Sequence, residues 1–311
     1  MALAPRIPKI GLALGSGSAR GWAHLGVLQA LRDAGIQPDV VCGASIGALV
    51  AAVHAAGEQE RFADWVRSLS VRDVWGFMDF NLSGGMLKGE KLINFWRENF
   101  ADFVIEDAPI PFAAVATDLH SGAEVWLRHG SIADAVRASI ALPGLFTPVV
   151  HEGHLLVDGG LVNPVPASLA RALGADIVIA VDLNADLMQH SMRRQGTAAP
   201  EPAQEEAEAA PEMNWMGRLQ QSLPWRKPET QEEEKSMPMP SLLDVAMTSI
   251  NIMQMRITRS RMAGDPPELV IAPRLAHLGL LDFHRGEEAM AAGYAAAQAA
   301  LPGLVDFGWK A

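Results

Sequence analysis

The chain has a single cysteine, Cys42, in 311 residues. One thiol excludes an intrachain disulfide and any cysteine-built metal site, and it fits a reducing compartment. Positive charge is also sparse, with 25 Lys and Arg against 36 Asp and Glu and a formal net charge of −11. So acidic a chain lacks the clustered cations that a phosphate backbone requires, so general nucleic-acid binding is not expected. No apolar run reaches the roughly 18 residues of a transmembrane helix. The run Ile10 to Leu14 is too short for the apolar core of a signal peptide, and glycine-rich sequence follows at once. These absences point to a cytoplasmic protein that would meet a membrane lipid only peripherally, at the inner membrane face.

What is present is material for a core: 49% of residues are apolar and 20% charged, a globular balance. Residues 9–14 read as a buried strand, 22–34 as a helix stopped by Gly35, 39–42 as a second strand, and 46–56 as a second helix. Strands follow at 112–118, 123–128, 155–157, 177–182 and 268–272. Helices follow at 131–139 (capped by Ser131), 163–173, 241–262 and 284–300. Residues 60–100 read as helical and irregular, with exposed-looking aromatics Trp65, Trp75, Phe77, Phe80 and Trp96. The alternation of strand and helix predicts an α/β fold with a central, mainly parallel sheet.

One domain is expected over 1–311. Its core would span 7–184, with a flexible acidic insertion at about 185–240 and C-terminal helices and a strand at 241–301 packed on the core. The insertion is rich in Ala, Pro and Glu, a composition that resists packing. Its apolar island at 213–225 is either a docked helix or a membrane-touching lid. The methionines of 241–262 are either a lipid groove wall or ordinary core.

The sharpest local pattern is Gly43-Ala44-Ser45-Ile46-Gly47, a G-x-S-x-G between an apolar strand and an apolar helix. Glycines two positions to either side let a strand turn abruptly into a helix and project the serine from the bend. The second pattern is Gly15-Ser16-Gly17-Ser18-Ala19-Arg20-Gly21. It fits a dinucleotide loop poorly, because the spacing is irregular and no acidic residue ends the second strand. A P-loop is excluded for want of G-K-[S/T]. An oxyanion hole of backbone N–H groups is the better fit. Asp158, in Asp158-Gly159-Gly160, could serve Ser45 as base. A triad with His277 or His284 would give the Ser-Asp-His order of α/β-hydrolases, and spacing alone does not separate dyad from triad.

Taken together, these segments resemble the patatin-like phospholipase family, most closely its small bacterial members. The resemblance lies in G-S-G-S-A-R-G at 15–21, W-A-H-L-G-V-L at 22–28, G-A-S-I-G at 43–47, A-S-I-A-L-P-G-L-F-T-P at 138–148, D-G-G at 158–160 and N-P-V-P at 163–166. It covers roughly 7–184, with further likeness over 241–290. It implies a three-layer α/β/α fold and a Ser–Asp dyad, Ser45 as nucleophile and Asp158 as base. It further implies an oxyanion hole in the loop bearing Gly15, Gly17, Ser18 and Arg20, supported by Gly43, Gly47, Gly159 and Gly160. The expected reaction is hydrolysis of a phospholipid, lysophospholipid or neutral lipid, with no cofactor and no metal. Pro143, Leu145, Phe146 and Pro148 are expected to border an acyl pocket. Arg20 is expected to steady the loop or meet a phosphate. A non-catalytic membrane or regulatory module on the same fold is the other reading. Self-association is left open.

Overall fold

The computed structural model describes residues 8–77, 89–100, 102–187 and 242–307. Most of the expected insertion, including the apolar island at 213–225, lies outside them, as does Phe80.

Strand β1 (Ile10–Leu14) leads through a 3-10 turn (Ser18–Trp22) into helix α1 (Ala23–Asp33). Strand β2 (Val40–Ala44) leads directly into α2 (Ile46–Ala55), followed by α3 (Gln59–Ser68), α4 (Val71–Phe77) and α5 (Glu90–Asn99). Next come β3 (Phe112–Asp118), β4 (Glu124–Leu127), α6 (Ile132–Ser139), β5 (Val149–His151), β6 (His154–Asp158), α7 (Ala167–Ala172) and β7 (Ile177–Val181). The last elements are α8 (Leu242–Gly264), β8 (Leu269–Ile271) and α9 (Gly286–Ala300).

The strands form one sheet in the order β5-β6-β3-β2-β1-β7-β8, with β4 also paired to β3. β3, β2, β1, β7 and β8 run parallel, and β4, β6 and β5 add antiparallel pairs. Successive residues of a strand face opposite sides of a sheet, and here they feed two cores. Ile10, Leu12 and Leu14 of β1 and Ile177, Ile179 and Val181 of β7 pack into the larger core with α1, α2, α3 and α9. Ala13, Cys42, Ala113, Val115 and Ala180 face the smaller core beneath α7. Large side chains on one face and small ones on the other give a three-layer α/β/α arrangement.

β3 sets the register that matters for the site. Its Val115 pairs with Ala44, the last residue of β2, and its next residue, Ala116, pairs with Asp158, the last residue of β6. Two segments over a hundred residues apart therefore end level with one another on either side of β3.

Two local readings of the sequence change. The strand expected at 155–157 is the second arm of the hairpin β5–β6. Its turn is Glu152-Gly153, both at positive φ (48° and 83°), the two-residue connection that matches strand twist. The aromatics of 60–100 are mostly not exposed. Trp96 is 2% exposed, and Trp65 and Phe77 join Trp22, Phe62, Phe95 and Phe100 in a cluster of mainly edge-to-face contacts. Among the described aromatics of this stretch only Trp75, at 60%, is open to solvent. Aromatics at helical spacing bury large areas, and that outweighs their scattered look in sequence.

Candidate active site

Ser45 sits between β2 and α2 with φ 56° and ψ −127°, a conformation that costs a non-glycine residue about 1–3 kcal/mol. Close packing on both sides enforces it. A Cβ at Gly43 would overlap the backbone of Gly47, and a Cβ at Gly47 would overlap the carbonyl of Leu14. The Ser45 amide donates to Ser139 Oγ at 2.9 Å, and Ser139 in turn donates to the Val115 carbonyl at 2.6 Å. That chain ties the elbow to α6 and β3.

The Ser45 hydroxyl donates to Asp158 Oδ2 at 2.5 Å. The other carboxylate oxygen, Oδ1, accepts the Gly160 amide at 2.7 Å. Asp158 is completely buried, its amide donates to the Ala141 carbonyl, and its carbonyl accepts from Thr117 Oγ1. Burial pushes its carboxyl up to about 7, against the opposing pull of the bonds from Ser45 and Gly160. Both oxygens are occupied, one by the serine and one by a backbone donor that fixes the carboxylate plane.

The glycine loop runs past the same point, as the adjacency of β1 and β2 requires. Gly15 N–H donates to the Val181 carbonyl, Ser16 N–H to the Pro164 carbonyl and Ala19 N–H to the Leu280 carbonyl. Ser18, at φ 52°, also donates its hydroxyl to Leu280 O at 2.6 Å. Among the described residues the amides of Gly17 and Ser18 have no acceptor. Gly15 thus has no spare donor, and the free pair is narrower than the loop as a whole.

Arg20 is only 1% exposed. It donates through Nε to the Gly17 carbonyl at 3.2 Å and through Nη2 to Asn251 Oδ1 at 3.4 Å. Burial lowers its pKa to about 10 despite the neighbouring Asp182. These contacts hold the guanidinium against the loop at Gly17 and against Asn251.

A cavity of about 130 Å³ opens above these groups. Ser16, Gly17, Ser18, Ser45, Asp158, Asn251 and Gln254 supply its polar wall. The rest is apolar, including Trp65, Leu69, Val74 and Phe77 from α3, α4 and their junction, and Leu142, Leu145 and Phe146 from the segment after α6. Pro143 and Pro148 do not line it. A turn, with the Leu145 and Phe146 amides donating to the Leu142 carbonyl and Gly144 at φ 85°, carries Leu142, Leu145 and Phe146 to the cavity and leaves Pro143 off it. Of the α8 methionines named as groove or core, Met247 lines the cavity, Met253 is exposed and Met262 packs against the smaller core.

Among the described residues no histidine lines the cavity. His277 pairs with Glu288 at 2.8 Å at the surface, and His284 is exposed. His24 is fully buried with Nε2 2.8 Å from the Gly15 carbonyl. A carbonyl only accepts, so Nε2 carries the proton, and burial holds the ring neutral with its pKa lowered to about 4. Among the described residues no group of three or more His, Cys, Asp or Glu is placed to hold a metal ion, and no helix is long and apolar enough to cross a membrane.

Sequence reasoning did not single out Thr117, Ser139, Asn251 or Gln254. Each is an ordinary polar residue on an element whose packing partner lies far along the chain.

The model of the patatin-like phospholipase family matches residues 12–171, which holds the glycine loop, the elbow and Asp158. The chain belongs to the patatin-like phospholipase family. An uncharacterized NTE family protein of Mycobacterium tuberculosis is 35% identical over 94% of this chain and 91% of its own length. Human patatin-like phospholipase domain-containing protein 6 is 37% identical over 56% of this chain, which is 13% of that protein. Neuropathy target esterase sws of Drosophila melanogaster is 35% identical over 56% of this chain and 13% of its own length. The bacterial relative thus shares nearly the whole chain, including the part beyond residue 171.

Proposed function

We propose that this patatin-like protein is a serine acyl hydrolase that cleaves lipid carboxylic esters with a Ser45–Asp158 dyad through an acyl-enzyme. The observation that carries the reading is the 2.5 Å bond from the Ser45 hydroxyl to a fully buried carboxylate, at the polar end of an apolar cavity.

Asp158 Oδ2 takes the hydroxyl proton as Ser45 Oγ attacks the ester carbonyl. A carboxylate in water is a weak base toward an alcohol, and desolvation makes this one stronger. The free amides of Gly17 and Ser18 hold the oxyanion. The proton then passes from Asp158 to the departing alcohol. A water, deprotonated by the same oxygen, attacks the acyl-enzyme carbonyl, and as the fatty acid leaves, Asp158 returns that proton to Ser45 Oγ, restoring the hydroxyl and the carboxylate. The apolar wall holds the acyl chain, with Leu145 and Phe146 bordering it. Histidine has no part in this route, in keeping with a cavity that none of the described histidines lines. The protein works peripherally at a membrane surface, which Val71 and Trp75 of α4 would touch.

The test is fatty-acid release from lysophospholipids, phospholipids and monoacylglycerols, with Ser45→Ala and labelling by a serine-directed phosphonate. Release by the native chain, abolished in Ser45→Ala, with the label on Ser45, is expected. A native chain that releases no fatty acid and takes no label would overturn the reading in favour of a non-catalytic module.

A further inference from the structure

Asn251 and Gln254 lie three residues apart on α8, hence on one face of the helix. Both line the cavity that holds Ser45 and Asp158. Asn251 Oδ1 faces a guanidinium nitrogen of Arg20 at 3.4 Å. Arginine only donates, so the oxygen must be the atom on that side. Gln254 is fixed by a longer chain. The Ser16 carbonyl can only accept, so Asn184 turns Nδ2 toward it at 3.5 Å. The same Nδ2 donates to Gln254 Oε1, also at 3.5 Å, and Ser16 Oγ donates to that oxygen at 3.1 Å.

Both carboxamide oxygens are therefore held by the glycine loop and its neighbours, and both NH2 groups remain. Among the described residues neither NH2 has an acceptor. Gln254 Nε2 lies near the reacting groups, since a Cβ built on Gly160 would be 2.6 Å from it and 2.9 Å from Asp158 Oδ1. An acyl chain carries no acceptor for these donors, and the ester carbonyl is served by Gly17 and Ser18. What remains of a lipid ester is its oxygen-rich alcohol half.

We infer that the carboxamide NH2 groups of Asn251 and Gln254 form a substrate-binding pair that donates hydrogen bonds to oxygens of the alcohol half, glycerol or phosphoglycerol, of a lipid ester. The inference rests on the dyad reading. Arg20 behind Asn251 polarises its amide and strengthens it as a donor. Selection of lipid over simple esters then lies on α8, outside the residues 12–171 that the family model matches.

Asn251→Asp and Gln254→Glu keep the acceptor oxygen that holds the loop and remove the donor. Each is assayed on a lysophospholipid, a monoacylglycerol and a 4-nitrophenyl ester of the same acyl length, below micellar concentrations. The expected result is a loss of kcat/KM at least about tenfold greater on the glycerol-containing esters than on the nitrophenyl ester, the scale of one hydrogen bond to a strong acceptor. A loss confined to the lysophospholipid assigns the pair to phosphoryl oxygens, and a loss shared with the monoacylglycerol assigns it to glycerol. Equal losses on all three substrates, or none, overturn the inference and leave the pair a support for the loop. Should the native chain hydrolyse nothing, the dyad reading fails. The pair is then read by quenching of Trp22 and Trp65 with an ether-linked lysolipid, where unchanged affinity in Asn251→Asp overturns it and about tenfold weakening supports it.

Discussion

A carboxylate whose pKa is raised by burial leaves a mark on both rate and stability, with opposite signs. If Asp158 is the base, as proposed, it acts only when ionised, so kcat/KM is expected to rise about tenfold per pH unit up to about 7 and to level off above. An acid limb near 4, where an ordinary carboxyl titrates, would show that Asp158 is not desolvated in solution. Stability runs the other way. The folded state binds this proton more tightly than the unfolded chain, so the contribution is complete below the unfolded value near 3.8 and is lost as pH rises through about 7. Asp158→Asn keeps the shape and the Gly160 bond and removes the buried charge. Denaturant unfolding at pH 8 should find this variant more stable than the parent by on the order of a few kcal/mol, and without activity. A less stable variant would mean that the ionised form is better solvated than its burial indicates.

Elements, more than residues, bring Ser45 and Asp158 together, and here the sequence was legible in some places and not in others. The elbow could be read because its glycines and serine are local: strand, bend and helix occupy adjacent residues, and the sterics repeat wherever the bend occurs. The glycine loop could be read for the same reason. The pairing of Ala44 and Asp158 on successive residues of β3 could not, since it is a register between distant strands. Nor could the placement of Ser139 against the Ser45 amide or of Gln254 at the cavity, since both side chains are unremarkable until α6 and α8 are docked. A loop sequence also does not say which amides its neighbours consume or which side of a turn faces a cavity: the Gly15 amide is taken by the Val181 carbonyl, and Pro143 lies off the cavity that Phe146 lines. The elbow gives its own measurement. In Gly47→Ala the new methyl overlaps the Leu14 backbone, which cannot yield as a side chain can, and a loss of roughly 3 kcal/mol is expected. Gly76, inside α4 with open space at its Cβ, is the control: Gly76→Ala should be neutral or stabilise by up to about 1 kcal/mol. Equal stabilities for the two variants would refute the close packing of the elbow on β1.

At the scale of the whole molecule, net charge and the placement of apolar surface make opposite demands on a membrane encounter. A formal charge of −11 repels an anionic bilayer. On α4, Val74 and Phe77 line the cavity, while Val71 and Trp75 are 52% and 60% exposed. Leu281 lines the cavity and is 43% exposed as well. The helix thus carries apolar surface from the cavity out to solvent, where an indole prefers the water–lipid boundary. Contact by insertion should not need anionic lipid. Co-sedimentation with phosphatidylcholine vesicles is expected to capture the protein, and anionic lipid added at low salt should weaken the capture. Trp75→Ser should lower the binding constant by on the order of thirtyfold, since burying one large aromatic contributes roughly 2 kcal/mol. Capture that strengthens with anionic lipid, or that ignores Trp75→Ser, would place the contact on another face and leave the exposure of α4 without a membrane role.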